Sequence, residues 1–261
     1  MNRLLQRMKQ LKDSDGKAFV AYIMAGEPSW DAVLDIVCEL DRIGVTAVEL
    51  GVPFSDPIAD GPVIQAAANR ALARGVSLSE IFERVSSLRE RSNLPLLLMG
   101  YWNVFLQYGR QRCIERARSV GVDGFIIPDL PPEADPEFFD MARNQDLCTI
   151  LLASELTPPE RLKRILASVL GFLYYVPQLG ITGLELSAGK AVENRIRMIR
   201  SLTDTPICIG IGVKTREDAR RLTGYADGVI VGTRIVEFIH RHADQPDLPQ
   251  ATARFVAGLI P

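Results

Sequence analysis

Histidine is nearly absent from this sequence: His240 and His242 are its only two, and both stand late in the chain. A metal centre built from several imidazoles therefore lacks its ligands. No Ser or Cys has a neighbouring His to serve as the base of a nucleophilic pair. Lysine is scarce too, at positions 9, 12, 17, 163, 190 and 214. None falls inside an apolar run of the kind that would bury a Schiff-base amine. Cys38, Cys113, Cys148 and Cys208 lie far apart in apolar surroundings, with no Cys-x-x-Cys. They read as reduced core thiols, which points to a cytoplasmic protein. No apolar run approaches the ~18 residues of a membrane span, and the N-terminus has no signal-peptide core. A net charge of −2 leaves no basic footprint for nucleic acid.

What is present is a rhythm. Leu4, Met8 and Leu11 share one face of an N-terminal helix. Short apolar runs then alternate with amphipathic helical patterns: strands at 19–24, 47–50, 96–99, 124–127, 149–152, 172–176, 207–209 and 228–231. Ser29, Ser77-Leu-Ser-Glu80 and Thr157-Pro-Pro-Glu160 are helix-start signals. Tyr108 to Val120 reads as one helix ending at Gly121, and a last helix covers 250–259. The strands are almost wholly apolar, as parallel strands covered on both faces are. One phrase occurs twice, in Ile43-Gly-Val-Thr-Ala-Val-Glu-Leu50 and Val120-Gly-Val-Asp-Gly-Phe-Ile-Ile127. Eight strand–helix units with no linker predict a single (β/α)8 barrel domain over residues 1–261, with an extra N-terminal helix. A doubly wound open sheet is the alternative, but Met24-Ala-Gly-Glu-Pro28 is not its Gly-rich first turn.

In such a barrel the chemistry sits where strands meet their following loops. Glu49 stands at the end of the second strand, and the Pro/Gly/Asp-rich loop after it carries Asp56 and Asp60. An acid on a buried strand is costly to ionise unless compensated. Taken alone, Glu49 is a surface acid beside ordinary turn aspartates. With imidazole and lysine chemistry set aside, the pair Glu49 and Asp60 is the candidate for acid–base work, because two carboxylates in different environments can hold different roles. Gly180-Ile-Thr-Gly183, Gly210-Ile-Gly212 and Gly232-Thr233 follow the sixth, seventh and eighth strands. Their backbone amides, with a helix start at Thr233, fit an anion such as phosphate; each taken singly is an ordinary turn. Arg234 either adds a cation there or points to solvent. Tyr22, Met99, Ile127, Tyr174 and Ile211 fall at strand ends and read as the apolar wall of a site, or as plain barrel core. Tyr101 and Trp102, in the third loop, read as a partner surface or as partly buried.

The run Glu49-Leu-Gly-Val-Pro-Phe-Ser-Asp-Pro-Ile-Ala-Asp-Gly-Pro62, followed by Ile64-Gln65, closely resembles the signature of the tryptophan synthase alpha chain family. So do Pro128-Asp-Leu-Pro131, Gly180-Ile-Thr-Gly183 and Ala226-Asp-Gly-Val-Ile-Val-Gly232, and the similarity spans essentially the whole chain. The resemblance implies the same barrel fold and cleavage of indole-3-glycerol phosphate to indole and glyceraldehyde 3-phosphate. It implies no cofactor in this chain, and a pyridoxal-phosphate beta chain, in an alpha-beta-beta-alpha heterotetramer, that receives the indole. By motif, Glu49 would take the proton from the glycerol hydroxyl and return one to indole C3, and Asp60 would stabilise charge on the ring. Tyr22, Ile64, Met99, Ile127, Tyr174 and Ile211 would contact the substrate. Thr182 would contact it too, Gly183, Gly212, Gly232 and Thr233 would hold its phosphate, and the loops around Asp56 and Asn103 would meet the beta chain. The loop from Pro53 to Pro62 is expected to be mobile until that partner docks. The chain departs from the family pattern at Tyr22, Val63, Pro177, Ile211 and Thr233-Arg234. Those departures leave three readings: an active lyase, a weakened subunit that mainly activates its partner, or another phosphosugar barrel enzyme.

Overall fold

The computed structural model describes residues 1–177, 185–210 and 212–261, with residues 185–188 described for backbone only. Strands β1 (Ala18–Met24), β2 (Ala47–Gly51), β3 (Leu96–Met99), β4 (Gly124–Ile126), β5 (Cys148–Ser154), β6 (Leu173–Val176), β7 (Ile207–Ile209) and β8 (Gly228–Val231) pair in parallel and in sequence order into a closed barrel. The predicted (β/α)8 architecture is therefore the observed one. Around it run α1 (Arg3–Asp13), α2 (Trp30–Arg42), α3 (Pro62–Ala73), α4 (Leu78–Leu88), α5 (Trp102–Tyr108), α6 (Arg110–Val120), α7 (Pro136–Asn144), α8 (Pro159–Ser168), α9 (Glu185–Arg200), α10 (Arg216–Thr223), α11 (Thr233–Arg241) and α12 (Leu248–Ala257).

The repeated phrase has a local cause. Gly44 and Gly121 both take positive φ, near +80° and +88°, and end the helices before them. The amide of the following valine then bonds back to Leu40 or Ala117, and that valine is buried. One residue on, Thr46 and Asp123 accept from the backbone N–H of Phe19 and Leu96, the first and third strands, at 3.0 and 2.9 Å. Each phrase thus closes a helix and locks the next strand to the preceding one.

Alternation along the strands sorts side chains between two cores. Val20, Ala47, Leu97, Ile126, Ile150 and Phe172 point into the barrel, where Leu4 and Met8 of α1 cover its N-terminal end. The opposite parity, with Phe19, Val48, Leu98 and Phe125, packs against the outer helices. With α1 covering that end, the interior opens at the C-terminal ends of the strands.

Three local expectations differ from the structure. The stretch from Tyr108 to Val120 is not one helix: Gly109, at φ +95°, cannot continue a right-handed helix, so α5 stops and α6 begins there. Thr157 does not open a capping box. Its hydroxyl accepts from Ser154 N–H at 2.9 Å, and Pro158 occupies the N-cap position of α8. The terminal helix lies at Leu248–Ala257, two residues earlier than the expected 250–259. All four cysteines are free and buried.

Candidate active site

Glu49 sits on β2 between Tyr22 of β1 and Leu97 of β3, on the parity that faces the barrel interior. It is fully buried, and neither carboxylate oxygen has a hydrogen-bond partner among the described residues. Burial alone raises its carboxyl to about 8, because the charged form gives up its hydration and gains nothing in exchange. At neutral pH this residue is an acid.

Asp60 ends the loop after β2, immediately before Gly61 caps α3. The Tyr101 hydroxyl donates to Asp60 Oδ2 at 3.2 Å and accepts from Ala59 N–H at 2.9 Å, so one phenol fixes both carboxylate and loop. Partial burial moves the Asp60 carboxyl up and the tyrosine hydrogen bond moves it back in part. Asp60 is nevertheless less shielded than Glu49, and the two acids therefore differ in their readiness to ionise.

Both carboxylates line one cavity of about 260 Å³ at the C-terminal end of the barrel. Its walls are Tyr22, Ile64, Met99 and Tyr174, and Gly232 and Thr233 lie along it. Two glycines make the walls possible. A Cβ at Gly51 would overlap the Tyr22 hydroxyl, and one at Gly210 would overlap the Tyr174 ring. Burial and the nearby acids raise both phenols far above their ordinary range, so they stay neutral. At the other end, Gly232 precedes the first turn of α11 and offers no side-chain cap, which leaves that helix start for an anion.

Ile127 does not line the cavity. It follows β4 on the outward parity and packs in the outer core, whereas Pro128, one residue on, does line it. A one-residue step along an extended chain reverses the face. Gly212, at φ +91°, is absent from the cavity wall formed by the described residues. Thr182, Gly183 and Ile211 lie outside the described residues, as does the loop Gly180–Gly183. Arg234 points elsewhere: its guanidinium pairs with Glu237 at 3.2 Å and lies over the Phe255 ring. The Arg234→Ala variant is accordingly expected to keep the parent's affinity for glycerol phosphate within about twofold, as a rim charge held by its own helix partner contributes little; titration calorimetry reads it, and a loss of tenfold or more would return Arg234 to the anion site.

Tyr101 is buried rather than part of an exposed aromatic surface, and Trp102 stacks edge-on against Phe138 at 5.0 Å. Among the described residues, the large apolar side chains exposed in the loops on this side are Ile58, at 87 %, and Leu156, at 71 %. The cavity residues that sequence reading passed over, Leu152, Val176 and Ile230, share the inward parity of their strands with Glu49's. That alternation was the available signal.

Residues 8–257 match the family model described as tryptophan synthase alpha chain. The tryptophan synthase alpha chain of Caldanaerobacter subterraneus subsp. tengcongensis is 38 % identical over 259 residues, covering 99 % of this chain and 98 % of that one. That of Petrotoga mobilis is 38 % identical over 230 residues, covering 88 % and 89 %. Among solved structures, tryptophan synthase subunit alpha from Legionella pneumophila superposes with a TM-score of 0.92 at 32 % identity, covering 99 % of this chain and 97 % of that one. The tryptophan synthase complex from Pyrococcus furiosus gives 0.82 at 33 % identity, covering 93 % and 97 %. A family match along nearly the whole chain, on the barrel and around the cavity just described, means that this protein belongs to the tryptophan synthase alpha chain family.

Proposed function

We propose that this chain cleaves indole-3-glycerol phosphate through Glu49 and Asp60. The observation that carries the assignment is one apolar cavity holding two carboxylates in unequal surroundings, beside an uncapped helix start. Protonated Glu49 gives its proton to indole C3, and the positive charge left on the ring nitrogen is balanced by ionised Asp60. Glu49, now a carboxylate, takes the proton of the glycerol hydroxyl next to the bond that breaks. The bonding pair of that C–C bond flows into the cationic ring, releasing indole and glyceraldehyde 3-phosphate, and Glu49 is again protonated. Atoms and charge balance without a metal or an imine, because the protonated ring is the electron sink. Gly232 and Thr233 hold the phosphate at the start of α11, and Tyr22, Ile64, Met99 and Tyr174 enclose the ring. The alpha chain carries no cofactor; pyridoxal phosphate belongs to the beta chain.

A beta chain docks on the same face. In support, Ser55, Asp56, Ile58 and Asn103 are all exposed there, and Asp60 stands in the same loop as the first three. Ordering that loop places Asp60 against the ring, so partner binding is converted into rate. Indole release from indole-3-glycerol phosphate, titrated with purified beta chain, is expected to rise by about tenfold or more. A flat titration would remove the coupling, and no indole at any beta-chain concentration would remove the activity.

The pH profile follows from the two acids. Catalysis needs Glu49 protonated and Asp60 ionised. The profile of kcat/KM is expected to be flat near neutrality and to fall about tenfold per pH unit above about 8, where free-enzyme Glu49 loses its proton. It also falls on the acid side as Asp60 takes one up. A profile that instead rises through pH 8 would mean that Glu49 starts the cycle as the base.

A further inference from the structure

Outside the cavity, two acids are buried among the described residues: Asp123, which pairs with Arg3 and Arg89, and Glu27. Glu27, in the loop after β1, is 4 % exposed. Arg70 Nε donates to its Oε1 at 2.6 Å and Arg74 Nη1 to its Oε2 at 3.2 Å, while His240 Nδ1 lies 3.6 Å from Oε1. The two arginines are one turn apart, Arg70 in the last turn of α3 and Arg74 its C-cap, and the histidine is on α11. These helices pack on each other and on β1.

Both helices begin at the substrate cavity. α3 starts directly after Asp60, and in its first turn Gln65 Nε2 donates to the Asp60 carbonyl at 2.9 Å. α11 starts at Thr233, which lines the opposite part of the cavity. One carboxylate, itself tied through the β1 loop to β2 by the bond from Ala25 N–H to the Gly51 carbonyl, therefore braces two helices. One carries the group at the ring end of the substrate and the other the group at its phosphate end.

We infer that Glu27 is a positioning residue, setting through Arg70, Arg74 and His240 the separation between Asp60 and the phosphate-binding start of α11. The inference rests on the reading of the cavity given above. A charge-assisted, buried clamp holds geometry more tightly than a surface pair, and displacement of about 1 Å at reacting groups costs about 100-fold in rate. Glu27 touches neither the cavity nor the reacting atoms, so its effect falls on the joint grip of the substrate rather than on either end alone.

The test compares Glu27→Gln and Glu27→Ala with the parent. For each, indole release is measured against indole-3-glycerol phosphate concentration, and binding of glycerol 3-phosphate and of indole is measured separately by titration calorimetry. The expected result is a fall in kcat/KM of about 10- to 100-fold, larger for Ala than for Gln, with each fragment bound within about twofold of the parent. Values of kcat/KM within twofold of the parent would overturn the inference. So would fragment affinities that fall in proportion to kcat/KM, since that marks a merely local loss of structure. Should Glu27→Ala fail to fold, the double variant Arg74→Gln/His240→Gln, on half-exposed positions, is expected to lose threefold or more, and an unchanged kcat/KM there would count against the clamp. If the parent releases no indole, the activity reading fails instead. Crystal structures then decide on Glu27, with the separation of Asp60 and Thr233 expected to change by about 0.5 Å or more in Glu27→Gln, and an unchanged separation overturning the role.

Discussion

Replacing Glu49 by glutamine is expected to reduce indole release by about 10³-fold or more, the largest loss of any single substitution in this chain. General acid–base catalysis is typically worth about 10²–10⁴-fold, and in the proposed cycle Glu49 acts in both proton transfers. Glutamine has the same shape but can neither give nor take the proton. The same variant should be more stable than the parent at neutral and alkaline pH. The folded carboxyl is raised to about 8 from the ordinary 4.5 by burial. A raised folded value means that the native state holds a proton which the unfolded chain has released. The stability this confers is complete below pH 4.5 and is lost progressively as pH rises to about 8. Glutamine carries no such dependence, and the gain over the parent at pH 8 is roughly 3–5 kcal/mol. Chemical denaturation at pH 4.5 and pH 8, beside the activity assay, reads both effects. Near-normal turnover would remove Glu49 from the chemistry, and a stability gap independent of pH would mean that the carboxyl is not held protonated.

The second large effect belongs to Asp60. Asp60→Asn is expected to lower kcat by about 10²–10³-fold, the range found when one charge-stabilising group is removed from a preorganised site. Asparagine can still accept from the Tyr101 hydroxyl, so the loop keeps its anchor. What it lacks is the negative charge that balances the ring cation, and that cation exists only during the reaction. The affinity for glycerol phosphate should therefore stay within about twofold, since the phosphate end is untouched. A parallel fall of binding and turnover would reduce Asp60 to a loop-shaping residue. The companion variant Tyr101→Phe separates the two contributions, because it keeps the charge and removes the anchor.

The barrel, its N-terminal helix and both acids were legible in the chain itself. Strand and helix periodicities are local patterns, Gly44 and Gly121 mark helix ends by a backbone conformation, and Glu49 interrupts an otherwise apolar strand just where a barrel places its chemistry. These are near-neighbour effects, and near neighbours are what a sequence displays. Other features arose only when distant segments met. Ile127 and Pro128 differ in facing by one step of a pleat whose phase depends on pairing with β3 and β5. Tyr101, read as a partner surface or as partly buried, turned inward because the loop 41 residues earlier offered it Asp60. Glu27 acquires its surroundings only when α3 and α11 close over it with two arginines and a histidine. The raised carboxyl of Glu49 is the clearest case: desolvation is the sum of everything packed around a group, and eight strands from the length of the chain have to close before that sum exists.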